Sequence, residues 1–210
     1  MTPTILRVDS SPMFQASVSR RLTEEFVRRW EALHPGGKLI ARDLTRTELA
    51  SVTAEWVRAA YTPEESRSPE QRQLLAVSDS LIAELEAADE YVIGVPMHSF
   101  PSTVKLWIDL IARAGKTFAY VDGQPKGLLQ GKRATFLVAS GGKYDPGTAL
   151  ASFNFVEPYL RTVFAFLGVT DTAFIKAGGT AALRSGSVDR AAFLQPYVEA
   201  VASQVAGSSN

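Results

Sequence analysis

Hydrophobic positions along the chain follow two spacings. Residues 4–8, 38–42, 91–95, 134–138 and 173–175 are mostly apolar at successive positions, which predicts five buried strands. Residues 22–33, 70–88, 104–111, 156–167 and 194–205 carry apolar side chains every three or four positions, which predicts five amphipathic helices. Pro96 is expected to end the third strand. The segment 44–68, with Trp56 and Tyr61, is too irregular for an assignment.

Strands that are apolar on both faces and alternate with helices indicate a parallel sheet covered on both sides. Right-handed crossovers then favour a doubly wound α/β fold. Five strands fit the flavodoxin-like order 2-1-3-4-5, with helices on both faces, better than a six-stranded arrangement of two halves. No Pro- or Ser-rich linker divides the chain, so we expect a single domain over residues 1–210.

Composition narrows the classes of function. The chain has 210 residues, 22 basic and 22 acidic side chains, two His and no Cys. The neutral balance argues against nucleic-acid binding, and no apolar run is long enough for membrane insertion. Two His without metal-like spacing predict no metal site, and we expect a cytoplasmic protein. Asp43 and the pair Asp89 and Glu90 are expected to be solvated acids at the sheet edge.

The segment after the first predicted strand has a composition suited to an anion. Residues 9–19 contain four Ser and lead into the first helix. Free amides at a helix start, together with hydroxyls, bind anions, although one Ser could serve only as an N-cap. Gly-x-Gly-x-x-Gly is absent, so a terminal phosphate monoester is favoured over a dinucleotide pyrophosphate.

Two more loops follow the third and fourth strands. Met97, His98 and Phe100 offer apolar contact and a titratable edge for a flat ligand, but they are also compatible with an ordinary exposed loop. Gly141 and Gly142 permit a tight bend close to a ligand, or simply a flexible turn. In this topology all three loops lie at the carboxyl edge of the sheet, where α/β folds bind ligands. Their coincidence therefore favours a binding site more than any one loop does.

Residues 96–120 carry a family resemblance. The Pro-Met-His-Ser-Phe run at 96–100 and, above all, the Ala-Arg-Ala-Gly-x-Thr-Phe-x-Tyr run at 112–120 resemble the FMN-dependent NADH:quinone oxidoreductases, also called azoreductases. The similarity is strongest over residues 90–142 and extends weakly along the whole chain. It implies a flavodoxin-like homodimer with one FMN per subunit near the dimer interface.

The resemblance also implies a set of site residues. In the family, the phosphate would be held by the positions of Ser10, Ser17, Val18 and Ser19. The isoalloxazine would be lined by Met97, His98, Ser99 and Phe100 and closed by Ser140, Gly141, Gly142 and Lys143. Aromatic residues on the substrate side correspond to Phe118 and Tyr120.

The implied activity passes two electrons from NADH or NADPH to a quinone, or to an azo compound that is cleaved, in a ping-pong cycle through bound flavin. No catalytic side chain is assigned, and His98 as a proton donor is a hypothesis. The family usually has Pro-Met-Tyr-Asn-Phe where this chain has His98 and Ser99. Two alternatives remain: a flavodoxin-type one-electron carrier, and an interaction module whose segment with Trp56 and Tyr61 docks a partner.

Overall fold

The central sheet has the predicted parallel topology. The computed structural model describes residues 2–97 and 100–207. Within them lie seven strands: β1 (Thr4–Asp9), β2 (Lys38–Asp43), β3 (Glu90–Met97), β4 (Phe118–Val121), β5 (Gln124–Gly127), β6 (Arg133–Ser140) and β7 (Asp171–Gly178). Five of them form one sheet in the order β2-β1-β3-β6-β7, with every pair parallel. This is the predicted 2-1-3-4-5 order, and the flavodoxin-like fold is confirmed.

Helices cover both faces of the sheet, and all five predicted helices are present. The helices of the described residues are α1 (Val18–Leu33), α2 (Ala54–Tyr61), α3 (Pro69–Ala87), α4 (Ser102–Ile111), α5 (Val156–Leu167), α6 (Ala181–Arg184) and α7 (Arg190–Gly207). None of them is long and apolar enough to cross a bilayer. The single domain over residues 1–210 stays a prediction.

Successive strand residues divide between two cores because a strand alternates its side chains across the sheet. Val92 and Leu137 pack with α1 and α7, whereas the adjacent Ile93 and Phe136 pack with α3, α4 and α5. The strands therefore bury apolar side chains on both faces, which explains their continuous apolar runs.

The hairpin β4–β5 and the helix α2 were not predicted from the sequence. The two hairpin strands pair antiparallel around Asp122 and Gly123, whose φ angles are 51° and 75°. Two positive φ angles are typical of a type I′ turn, which Asp-Gly favours, so this dipeptide was the available signal. In α2, Thr53 caps the N-terminus by accepting from the Trp56 amide at 3.2 Å, and Trp56 is buried while Tyr61 is exposed.

The expected strand end at Pro96 is wrong, because β3 continues through Met97. Beyond Gly94, β3 has lost its neighbour β1 and pairs only with β6, where Pro96 lies opposite Ala139. The Ser10 hydroxyl, on the β1 side, donates to the Gly94 carbonyl, so the backbone polar groups of Gly94 face β1. Pro96 is two residues further along β3 and faces the same way. Its missing N–H therefore points to the side where β1 has ended, and no sheet hydrogen bond is lost.

The expectation of solvated acids is also wrong for Glu90 and Asp43. Glu90 is buried, accepts a 3.0 Å hydrogen bond from Trp30 Nε1 and leaves Oε1 without a partner. Burial raises the pKa of Glu90. Asp43 is half-buried and ion-paired. Asp89 accepts from the Thr4 amide at 2.8 Å.

Candidate functional site

A cavity of about 260 Å³, called the α1 cavity below, opens at the carboxyl edge of the sheet. The loop after β1 contributes Ser11, Met13, Ala16, Ser17 and Val18 to its wall. Pro96 comes from the end of β3 and Ala139 from the end of β6. The segment after β7 supplies Thr180, Leu183, Arg184 and Arg190. The carboxyl ends of four sheet strands, β1, β3, β6 and β7, thus border one space at the β1–β3 switch point, where this fold class binds ligands.

The start of α1 borders this cavity with Ser17 and Val18, whereas Ser10 and Ser19 do not line it. Ser17 is the N-cap residue: its side chain accepts from the Arg20 amide at 3.2 Å, and it lies 3.2 Å from the Ser19 hydroxyl. Ser17 is therefore the capping serine of α1, and its role toward an anion stays a prediction. A cap satisfies one of the first amides of a helix and leaves others available to an anion. Ser10 is buried and donates to the Gly94 carbonyl at 2.7 Å.

Arg20 ties this loop to the neighbouring strand. Its Nε donates to the Ser11 carbonyl at 2.7 Å, and its two terminal nitrogens donate to Asp43 at 2.9 and 2.8 Å. The guanidinium also lies 5.1 Å from the ring centre of Phe14, whose φ is 42°. Burial alone would raise the pKa of Asp43, but hydrogen bonds from Arg20 and Thr45 lower it to about 2. A charged cross-link therefore fixes the loop in a locally strained conformation.

A buried carboxylate, Asp9, lies at the base of the same loop. Asp9, the last residue of β1, accepts from the Thr23 hydroxyl at 2.8 Å and pairs with Arg7 at 2.7 Å. Burial raises its pKa, against the opposing effect of Arg7. The carboxylate links α1 to the sheet edge, but it does not line the cavity.

The glycine loop after β6 is fastened to the segment after β7. The Ser140 hydroxyl and the Gly179 amide both donate to the Gly142 carbonyl, at 2.8 and 3.1 Å. The side chain of Lys143 packs near Gly179. A methyl group at Gly142 would lie 2.6 Å from Leu150 Cδ1, so the exposed Leu150 side chain would have to move, whereas at Gly141 it would meet only Arg184 Nη2, 3.9 Å away.

The loop after β3 is described only in part. Met97 pairs with Ser140 across the sheet, so the β3 and β6 loops start side by side. Phe100 is half-buried and packs edge-to-face on Tyr159, with ring centres 4.8 Å apart. His98 and Ser99 lie outside the described residues, and the predictions made for them stay predictions.

The two predicted substrate-side aromatics lie on the β4–β5 hairpin, away from the α1 cavity wall. Phe118 is buried, with its ring centre 4.7 Å from that of Phe166, while Tyr120 is exposed. Phe118 lines a different cavity, of about 420 Å³, together with Trp56 and Arg113. The structure therefore separates Phe118 and Tyr120 from the predicted phosphate residues.

Two basic residues of the α1 cavity were missed in the sequence. Arg184 and Arg190 follow β7, whereas the sequence pattern pointed only to the loops after strands 1, 3 and 4. The guanidinium of Arg190 donates to the carbonyls of Ala16 and Ser17 at 3.2 and 3.4 Å. The signal available in the sequence was two arginines soon after Gly178 and Gly179 at a strand end.

Comparison with known proteins gives one consistent family. The family described as flavodoxin-like fold matches residues 3–204. The chain is 54% identical to an FMN-dependent NADH:quinone oxidoreductase of Acidobacterium capsulatum, covering 94% of this chain and 97% of the relative. It is 48% identical to FMN-dependent NADH:quinone oxidoreductase 3 of Burkholderia lata, covering 94% and 96%.

A solved structure agrees with these sequence relatives. An azoreductase of Bacillus anthracis superposes with a TM-score of 0.84 and 26% identity, covering 98% of this chain and 99% of that one. Fold, cavity position and sequence relatives converge on one assignment. The chain belongs to the flavodoxin-like-fold family and, within it, to the FMN-dependent NADH:quinone oxidoreductases.

Proposed function

We propose that this protein is an FMN-dependent oxidoreductase that transfers two electrons from NADH to quinones and reductively cleaves azo compounds. The names of its relatives support the donor, the cofactor and the quinone acceptor. The name of the Bacillus anthracis structure supports the azo acceptor. The observation on which the proposal depends is the α1 cavity, where the loops of a flavodoxin-like switch point surround a space with hydroxyl, amide and guanidinium donors.

The chemistry of this cavity suits the phosphate of FMN. Ser17 and Ser19 are buried and place two hydroxyls at the start of α1. Arg184 and Arg190 supply positive charge, and the cavity wall, as far as the structure describes it, contains no carboxylate. A helix start favours a negative group, and arginine pairs with phosphate through several N–H donors. The donor set therefore matches a phosphate monoester.

Each segment would then have one role. Ser10, Ser17, Val18 and Ser19 would hold the phosphate. Residues 97–100 and 140–143 would line the two sides of the flavin ring. Bound FMN would supply the redox chemistry of hydride acceptance and two-electron transfer. The protein itself orients the ring through its loops, and no side chain is assigned a covalent or acid–base role.

Several finer points are part of the proposal. NADH and the electron acceptor would bind in turn at the same place beside the flavin ring, which gives a ping-pong cycle. Phe118 and Tyr120 form the substrate side, and the exposed ring of Tyr120 is available to an incoming aromatic molecule or to a second subunit. We propose a homodimer that works in the cytoplasm, where NADH is generated, with the mass in solution as the test of the dimer.

The decisive experiment is spectroscopic. We expect purified protein supplied with FMN to show a flavin spectrum that bleaches anaerobically with NADH and recovers on addition of benzoquinone. Steady-state rates should give parallel double-reciprocal lines. Bleaching without turnover would favour the one-electron carrier, and an absence of FMN binding would contradict the proposal. His98→Tyr tests the proton-donor hypothesis: an unchanged pH profile of turnover removes it.

A further inference from the structure

The α1 cavity is electrostatically one-sided. Its wall includes Arg184 and Arg190 together with the uncharged residues Ser11, Ser17 and Thr180. No acidic side chain of the described residues lies within ion-pair distance of either arginine, although most other arginines have such a partner. Two guanidinium groups that, among the described residues, have no carboxylate partner form an anion-selective surface beside a helix start.

The two arginines differ in how they are held. Arg190 is half-buried at the start of α7, and its two terminal nitrogens donate to the carbonyls of Ala16 and Ser17. Its charge is thereby fixed against the loop that caps α1. Arg184 is exposed at the end of α6, where its Nη2 comes close to Gly141 of the β6 loop. In the cavity wall, Arg190 therefore lies against the β1 loop and Arg184 lies near the β6 loop.

We propose that Arg184 and Arg190 neutralise the phosphate of FMN and are the main determinants by which this protein distinguishes FMN from riboflavin. The inference rests on the proposed function. It assigns a role to residues outside the three loops that the sequence predicted to form the site. A phosphate monoester carries nearly two negative charges at pH 7, which two guanidinium groups balance. Hydroxyls and helix amides alone provide hydrogen bonds and only a partial positive charge.

The test compares two ligands that share the flavin ring and the ribityl chain but differ in the phosphate. Flavin fluorescence titrations on the apoprotein give Kd for FMN and for riboflavin. We expect Arg184→Gln and Arg190→Gln each to raise Kd for FMN by about tenfold or more, the loss of one charge-assisted hydrogen bond. Kd for riboflavin should not change. Arg184→Lys should restore part of the FMN affinity, because it keeps the charge without the fork of donors.

Controls separate this role from a structural one. Arg72→Gln removes an exposed arginine from α3, far along the chain from the cavity, and should change neither Kd. The FMN Kd of the wild type should rise with salt, and this dependence should be weaker in Arg184→Gln. If Arg190→Gln unfolds the protein, as a circular dichroism melt would show, Arg184→Gln still decides the matter.

Two results overturn the inference while leaving the proposed function intact. The first is an equal loss of FMN and riboflavin affinity, which would mean that the arginines only shape the loop. The second is an unchanged FMN Kd with an altered ratio of NADPH to NADH turnover, which would place the donor's 2′-phosphate there. A wild-type protein that binds neither flavin would overturn both this inference and the proposed function.

Discussion

Asp43→Asn should destabilise the protein in a way that depends on pH. Asp43 accepts two hydrogen bonds from Arg20, which in turn holds the β1 loop through the Ser11 carbonyl. The change keeps the size of the side chain and removes the charge. A pKa lowered from 3.8 to about 2 corresponds to a stabilisation of about 2.5 kcal/mol at pH 7, at about 1.4 kcal/mol for each unit of pKa.

The sign follows from the depressed pKa. The ionised carboxylate is favoured in the folded state, so its contribution is complete above the unfolded-state pKa of 3.8 and is lost as the pH falls through about 2. The difference in unfolding free energy between wild type and Asp43→Asn should therefore be about 2.5 kcal/mol at pH 7 and about half of that near pH 3.

Urea unfolding of the apoprotein from pH 7 down to pH 3, followed by tryptophan fluorescence, measures this difference, since Trp30, Trp56 and Trp107 are all buried. Glu55→Gln is the matched control: it makes the same carboxylate-to-amide change in an exposed ion pair with Arg58, and it should leave the unfolding midpoint in place. A cost for Asp43→Asn below about 0.5 kcal/mol at pH 7, or one independent of pH, would refute the reasoning.

Three further changes test other parts of the structure. Ser17→Ala should lower stability by about 1 kcal/mol through loss of the α1 cap. Ser17→Asp should keep the melting temperature of the apoprotein, because Asp also caps a helix, and should abolish FMN binding, because it places a negative charge at the cavity. FMN affinity equal to that of the wild type in the Asp variant would count against a phosphate there. Glu90→Gln should become increasingly more stable than wild type as the pH rises above 4.5, because burial raises the carboxyl pKa while Gln can still accept from Trp30, and a pH-independent difference in urea unfolding would contradict this. Gly127→Ala should cost about 3 kcal/mol or more, since its Cβ would lie 2.1 Å from the Gly168 amide nitrogen; an unchanged urea midpoint would show that this backbone contact relaxes freely.

The sequence by itself determined the features that depend on neighbouring residues only: the strands, a helix cap and a turn. Runs of successive apolar residues predicted the five sheet strands, because a strand covered on both faces has no solvent-facing position. Ser17 at the start of α1 was recognisable as a cap or an anion ligand, because both roles use an oxygen next to free helix amides. The Asp122–Gly123 turn was also readable, but the hairpin strands beside it are only four residues each.

Tertiary structure decided which residues share a site and how their charges are paired. Asp43, expected in solvent, is held by Arg20 from another element, and Glu90 is enclosed under Trp30. Arg184 and Arg190 reach the cavity only because β7 ends beside β6 and directs its loop toward α1. Such contacts join positions up to 174 apart in the chain. A sequence pattern records local spacing only. The burial and pairing of a charge depend instead on which distant segments the packed core brings beside it.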